Sequence, residues 1–228
     1  MFLRQNNTIK WRLLGVATIV TAVLCAAGIA WFDRPLFLFM RQFDCAAFRV
    51  MAHIFQAKAW LIVTATLVGM FYIKKALKSK PKFRNDRNRF SLVTFYADFL
   101  QKTKTSYAFF IFCSIVSACL VTGVIKVVVG RARPIFYEAL GLTGFFPFNT
   151  EWAFNSMPSG HTTATFAALV MMGMLAPKIK WFTWTLAITV GLSRVAVGAH
   201  WPTDVLIGAF VGMVMADFVK ATLKKYLI

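Results

Sequence analysis

Charge is scarce in this chain. Only 15% of its 228 residues are Asp, Glu, Lys or Arg, whereas 59% are hydrophobic, with 24 Phe and 7 Trp. That balance excludes an ordinary soluble domain and makes the chain an integral membrane protein. Acid is scarcer still, at 8 Asp and Glu against 26 Lys and Arg, a net charge of +18. A basic excess of this size can serve nucleic acid. Here the basic residues lie mostly between apolar runs rather than along one polar face, which is the pattern of membrane topology, so no nucleic-acid partner is expected. Cysteine is sparse and badly spaced for chemistry: Cys25, Cys45, Cys113 and Cys119 form no Cys-x-x-Cys pair, and three of them fall inside apolar runs. Neither a disulfide framework nor a metal cluster is expected, and no cofactor is called for. Histidine is rare too, limited to His53, His161 and His200.

What the chain does have is a series of apolar runs punctuated by positive charge. Leu13 to Phe32, preceded by Arg4, Lys10 and Arg12, is long enough at about 1.5 Å per residue to cross a hydrocarbon core of about 30 Å. Gly28 and Ala30 offer a small-x-small pattern like a cleavage site. The run is long for a signal segment, however, and Trp31 suits an interface anchor, so a retained span is expected. Asp33, Arg34 and Pro35 break the run, and Pro35 to Gln56 reads as amphipathic and lies on the outer surface. His53 has no partner in sequence there and reads as a surface histidine. Further spans follow at Trp60 to Ile73, Tyr107 to Val129, Thr162 to Ala176, Trp181 to Gly198 and Val205 to Val219, with an interfacial helix over Phe90 to Gln101.

The basic residues sort these spans. Lys74 to Arg89 carries eight Lys and Arg against the single acid Asp86, and Lys102, Lys104, Lys178, Lys180, Lys220, Lys224 and Lys225 fall on the same side. The positive-inside rule makes that side cytoplasmic. The expected fold is an all-α membrane protein of six transmembrane helices with both termini cytoplasmic, residues 1–228 forming one domain. Within the last span, Gly208 and Gly212 make a small-xxx-small pattern that suits packing inside the bundle.

This layout puts Lys126, Arg133, His161, Arg194, His200 and Asp204 together on the opposite, outer face. Ionisable groups in a membrane-embedded chain are costly unless they have work to do. Ser159, in a natural N-cap position, and Gly160 precede an apolar helix whose free N–H groups can hold a phosphate oxygen. Pro202 is a good first residue for the last helix; it sets His200 just before that helix and Asp204 in its first turn, where the carboxylate can reach the imidazole. Lys126, Arg133 and Arg194 supply three cations for a phosphoryl group. His161 can act as general acid.

Lys126 with six residues before Arg133 and Pro134, then Pro158, Ser159, Gly160 and His161, then Ser193 and Arg194 with five residues before His200 and three more before Asp204, resembles the three-part signature of the type-2 phosphatidic acid phosphatase superfamily. The likeness spans residues 126–204. It implies a metal-independent lipid phosphatase in which His200 is the nucleophile and forms a phosphohistidine. Asp204 orients it, and His161 protonates the leaving group and then activates water. Lys126, Arg133 and Arg194 bind phosphate with Ser159 and the backbone at Gly160. Arg131 lies outside the signature and is left to a headgroup or the membrane surface.

The resemblance also implies a bacterial member of the family, and the charge bias implies an inner-membrane enzyme with a periplasmic site. Lipid A and undecaprenyl diphosphate are the favoured substrates, ahead of phosphatidylglycerol phosphate and phosphatidic acid, and no protein partner is expected. A lipid phosphotransferase and a non-catalytic binder or transporter of anionic lipids are the rival readings. Soluble vanadium haloperoxidases share the signature, but the spans argue against them.

Overall fold

The structure is a computed structural model and describes residues 1–4, 6–78 and 106–223. The expected interfacial helix over residues 90–101, most of the basic stretch before it, and Lys102, Lys104, Lys224 and Lys225 lie outside the described residues. The described residues are helical, with two isolated bridges, Leu3 to Ile9 and Arg131 to Phe145, and no strand among them. We number the helices α1 (Trp11–Ala27), α2 (Asp33–Arg41), α3 (Ala46–Ile54), α4 (Ala57–Lys78), α5 (Tyr107–Val129), α6 (Pro134–Leu140), α7 (Gly160–Leu175), α8 (Lys180–Ala196) and α9 (Pro202–Leu223).

Four stretches among the described residues are long and apolar enough to cross a membrane: Trp11–Arg41, Ala57–Lys75, Tyr107–Val129 and Pro202–Leu223. The other two expected spans fall on α7, an apolar helix of 16 residues, and on α8, of 17 residues, which carries Lys180 and Arg194 at its ends. At about 1.5 Å per residue these are close to the shortest that can span.

The first span differs from the sequence expectation. Asp33, Arg34 and Pro35 do not end the helix, which runs from Trp11 to Arg41 through one π turn over Gly28–Phe32. A π turn adds a residue and rotates the helix beyond it. Pro35 comes just after the π turn, where the regular i→i−4 ladder is already interrupted. Asp33 is thereby turned inward and buried instead of lying in a surface connection. Gly28 makes this approach possible, since a Cβ there would collide with Thr203 Cγ2 at the start of α9.

The bundle is organised on α7, which packs against α5, α8 and α9. Thr162 to Met171 of α7 are buried without a break, so this helix is inside on every face rather than amphipathic. Small residues let its neighbours come close. A Cβ on Gly208 would lie 2.8 Å from Ser159 O, and one on Gly212 would lie 2.6 Å from Thr163 O. The small-xxx-small pattern of the last span therefore faces α7 within the bundle.

Phe110, Ile115, Leu169, Met171 and Ala187 fill the core below the site. The exposed face is strongly apolar, with Leu13, Val16, Ile19, Val20 and Val23 along α1 and Leu120 and Val124 on α5. A protein in water would not leave such a band uncovered. α2 is the end of the first span, and α3 is a short helix between it and α4 with no buried residue.

Candidate active site

Alternation of direction brings the end of α5, the start of α7, the end of α8 and the start of α9 to one end of the bundle. Each of these termini is built by local sequence. α5 stops at Gly130, whose φ of +58° and N–H to Lys126 O form a left-handed cap. A Cβ at Gly130 would collide with Phe146 O, so only glycine fits. α9 begins at Pro202, and Asp204 reaches back so that its Oδ2 accepts the Trp201 N–H at 2.9 Å. That bond is the carboxylate half of a capping box. The Ser159 N–H donates to the Asp204 carbonyl at 2.9 Å, tying the start of α7 to the start of α9.

His200, in the turn before α9, is only 2% exposed. Its Nδ1 lies 3.7 Å from Asp204 Oδ2, and its Nε2 lies 3.5 Å from Arg133 Nη1. The first separation exceeds a hydrogen bond, and Nδ1 has no other partner. Burial pushes the imidazole down to about 3 against the pull of Asp204, and Arg133 and Lys126 lower it further. His200 is thus neutral at physiological pH, the state in which an imidazole nitrogen is nucleophilic.

The three expected phosphate ligands come to the same end of the bundle. Arg133, the N-cap of α6, donates from Nε to Trp152 O at 2.9 Å, from Nη1 to Ala199 O at 3.2 Å and from Nη2 to Asn155 O at 3.3 Å. Its guanidinium carbon sits 4.2 Å from the Trp152 ring centre. Burial lowers its pKa to about 10, and Asp204 works in the opposite sense, so it remains a cation.

Lys126 Nζ donates to the same Asn155 carbonyl, which places the ammonium beside Arg133. Lys126 Cε is also the nearest group to Gly160, 3.8 Å from where a Cβ would stand. Arg194, near the end of α8, is buried, and its Nε has no partner. A buried, unpaired guanidinium N–H is expensive and marks a place made for an acceptor. Arg194 and His161 share a cavity of about 380 Å³ with Arg49, Ala52, His53, Gln56 and Val197.

All eight residues singled out in sequence, Lys126, Arg133, Ser159, Gly160, His161, Arg194, His200 and Asp204, therefore come to one end of the bundle. Three details differ from expectation. Ser159 occupies the N-cap position of α7, but its hydroxyl makes no capping bond to backbone; it accepts the Thr162 hydroxyl at 2.9 Å. His53 is exposed, a surface histidine, but α3 places it in the lining of the same cavity as His161 and Arg194. All three histidines of the chain thus gather at this end.

Arg131, the third, does not reach the membrane surface. It is 6% exposed, with Nη1 donating to Asp204 Oδ1 at 2.8 Å and to Thr203 Oγ1 at 2.7 Å, and Nη2 donating to Asp33 Oδ2 at 2.6 Å. The acid of α2 and the arginine after α5 are 98 positions apart, and no periodicity links them. Ser156 carries no signal in sequence either, and its hydroxyl donates to Asp204 Oδ2.

A family model described as the PAP2 superfamily matches residues 106–226. A lipid A 1-phosphatase of Rhizobium etli is 28% identical over 204 residues, which cover 90% of this chain and 81% of that protein. A lipid A 1-phosphatase of Rhizobium johnstonii is 32% identical over 158 residues, covering 69% of this chain and 59% of that protein, so the chain spans less than two thirds of the second relative. Among solved structures, the first transmembrane PAP2 type phosphatidylglycerolphosphate phosphatase from Bacillus subtilis aligns with a TM-score of 0.60 at 19% identity, over 93% of this chain and 96% of that one. That likeness is one of fold.

Proposed function

This chain belongs to the PAP2 superfamily and is a membrane phosphatase, and on that premise we propose that it removes phosphate from a lipid through a phosphohistidine formed on His200. The observation that carries the reading is the neutral, buried His200 ring, with one nitrogen toward Asp204 and the other toward Arg133. With the proton on Nδ1, the Nε2 lone pair attacks phosphorus and the bond to the lipid oxygen breaks. The positive charge that develops on the ring is balanced by Asp204. Burial and the cations around it lower His161 to about 3; the negative charge of a bound phosphate opposes that lowering, so that His161 takes up a proton as the lipid phosphate binds and gives it to the departing oxygen. It then takes a proton from water, which attacks phosphorus and breaks the P–N bond, returning His200.

Lys126, Arg133 and Arg194 bear on the phosphoryl oxygens, where charge builds in the transition state. Ser159 and the backbone at Gly160 complete the cradle at the start of α7. Every step uses side chains of this chain alone, so we propose that no metal takes part.

The proposed setting follows from charge. Six spans with both termini cytoplasmic put this end of the bundle on the periplasmic side of a bacterial inner membrane, within one domain of residues 1–228. The proposed substrate is lipid A, supported by the names of the two Rhizobium relatives. Undecaprenyl diphosphate stands second, then phosphatidylglycerol phosphate and phosphatidic acid. Transfer of the phosphoryl group to an acceptor other than water is the competing chemistry for the same intermediate.

Phosphate release from these four lipids by the purified chain in detergent, with EDTA present and beside His200→Ala, tests the reading. Release that survives EDTA and disappears in the variant supports it, and the lipid turned over fastest names the substrate. Release that His200→Ala does not change refutes it. A phosphorylated lipid product without free phosphate moves the reading to a transferase, and binding without turnover moves it to a lipid carrier.

A further inference from the structure

Phosphohistidine chemistry uses Asp204 but leaves unexplained why a carboxylate with no exposed surface stays charged and aimed. Its surroundings contain a buried ionic cluster that none of the signature residues accounts for. Arg131 stands at the centre, donating to Asp204 on one side and to Asp33 on the other. Thr203 closes the ring: its hydroxyl accepts from Arg131 and donates to Asp33, and its N–H donates to Asp33 Oδ1 at 3.0 Å. Asp33, Arg131, Thr203 and Asp204 are all at most 6% exposed. The guanidinium carbon is covered by Trp201 at 5.3 Å and Phe145 at 5.6 Å from the ring centres.

We infer that Asp33, acting through Arg131, is a positioning residue of the reaction. The inference rests on the phosphohistidine reading of His200. Burying an arginine against Asp204 alone would fix the carboxylate at the cost of its charge, since the pair sums to zero beside the ring it must support. Asp33 takes a share of the guanidinium, so Arg131 can anchor Asp204 while the three ions together keep one net negative charge. That charge acts on the imidazole against Lys126 and Arg133, where the ring becomes cationic on attack.

The same contacts set geometry. Asp33 holds the N–H of the second residue of α9, and Asp204 is the third, so the first span and the helix carrying the aspartate are locked at the turn that contains His200. The π turn and Gly28 belong to this device, because they bring Asp33 inward and let the first span approach Thr203. π turns inside long helices are frequent at functional sites. The first span, which lies wholly outside residues 106–226, is then part of the catalytic apparatus rather than an anchor.

The test is kinetic, on the full chain in detergent, with the lipid that wild type turns over fastest and with His200→Ala as control. Asp33→Asn keeps shape and removes charge; we expect kcat to fall at least about tenfold, one factor of ten in rate, with KM within about twofold. Formation of the acid-labile phosphoenzyme in rapid-quench experiments with radiolabelled lipid phosphate should slow by the same factor. Because Asp33 acts through Arg131, Asp33→Asn should add little further loss in an Arg131→Gln background. If Asp33→Asn does not yield folded protein, Thr203→Val breaks the same ring and should lower kcat several-fold without raising KM.

A kcat within about twofold of wild type in either variant, a loss confined to KM, or losses that simply multiply in the double variant would each overturn the inference. A wild type that releases no phosphate, or one that His200→Ala leaves intact, refutes the phosphohistidine reading itself and takes this inference with it. The two failures are therefore distinguishable.

Discussion

Asp204→Asn is the substitution whose outcome the site determines most closely. Every group that meets this carboxylate is a donor. Oδ1 accepts from Arg131, and Oδ2 accepts from the Trp201 N–H and the Ser156 hydroxyl. An amide has one acceptor and one donor end. Keeping its oxygen toward Arg131 places the NH2 where Oδ2 was. Ser156 can turn to accept from it, but the Trp201 N–H cannot and is left unsatisfied, at a cost of about 1–3 kcal/mol.

The chemical loss is larger than the structural one. The NH2 now stands toward His200 Nδ1, which Asp204 Oδ2 faces from 3.7 Å in the native site. A donor there favours the tautomer with its proton on Nε2, which removes the lone pair that attacks. The same exchange of tautomer at a serine protease triad lowers turnover by about 10⁴. We expect a kcat loss of about 10³–10⁴ with a KM change of a fewfold, together with an unfolding free energy lower by about 1–3 kcal/mol. Steady-state phosphate release and denaturant unfolding in the same detergent measure the two. Activity within about tenfold of wild type would refute the claim that Asp204 sets the tautomer of His200.

Two more outcomes follow from burial and close packing. His200 has its pKa lowered from 6.5 to about 3 by burial, so the unfolded chain takes up a proton that the folded chain refuses. The contribution of this group to stability is fully present above pH 6.5 and is lost as pH falls from there toward about 3. Thermal unfolding across that range should show a decline that His200→Gln reduces, and an equal decline in both proteins would contradict the assignment. Gly212→Ala should open the contact between α7 and α9, because the new Cβ would lie 2.6 Å from Thr163 O, a backbone atom that cannot step aside. A loss of about 1–3 kcal/mol is expected, the usual range for an overpacked core. An unchanged melting temperature would show that the helices are not in such close contact.

The sequence alone determined whatever depends on short-range spacing. Proline at the first position of α9 with an acid two residues on is a local instruction, and it put Asp204 in the first turn within reach of His200. The order of Lys126, Arg133, Ser159, Gly160, His161, Arg194, His200 and Asp204 was enough to choose all eight, because each lies at or near a helix end that its own neighbours create. The apolar runs and the basic segments between them mark a multi-pass membrane protein with no help from tertiary contacts. The tertiary structure decided whatever depends on two helices meeting. Asp33 reads as the end of a span because an acid beside proline after an apolar run normally is one, and nothing local announces the π turn that carries the helix onward. Arg131 reads as a surface cation because its two carboxylates lie 98 positions before it and 73 after it. His53 reads as solitary because the wall it faces is built by α7 and α8, more than a hundred residues later. A buried charge is stable only with its partners in place, and the partners of Asp33 and Arg131 are supplied by packing, which spacing along the chain does not encode.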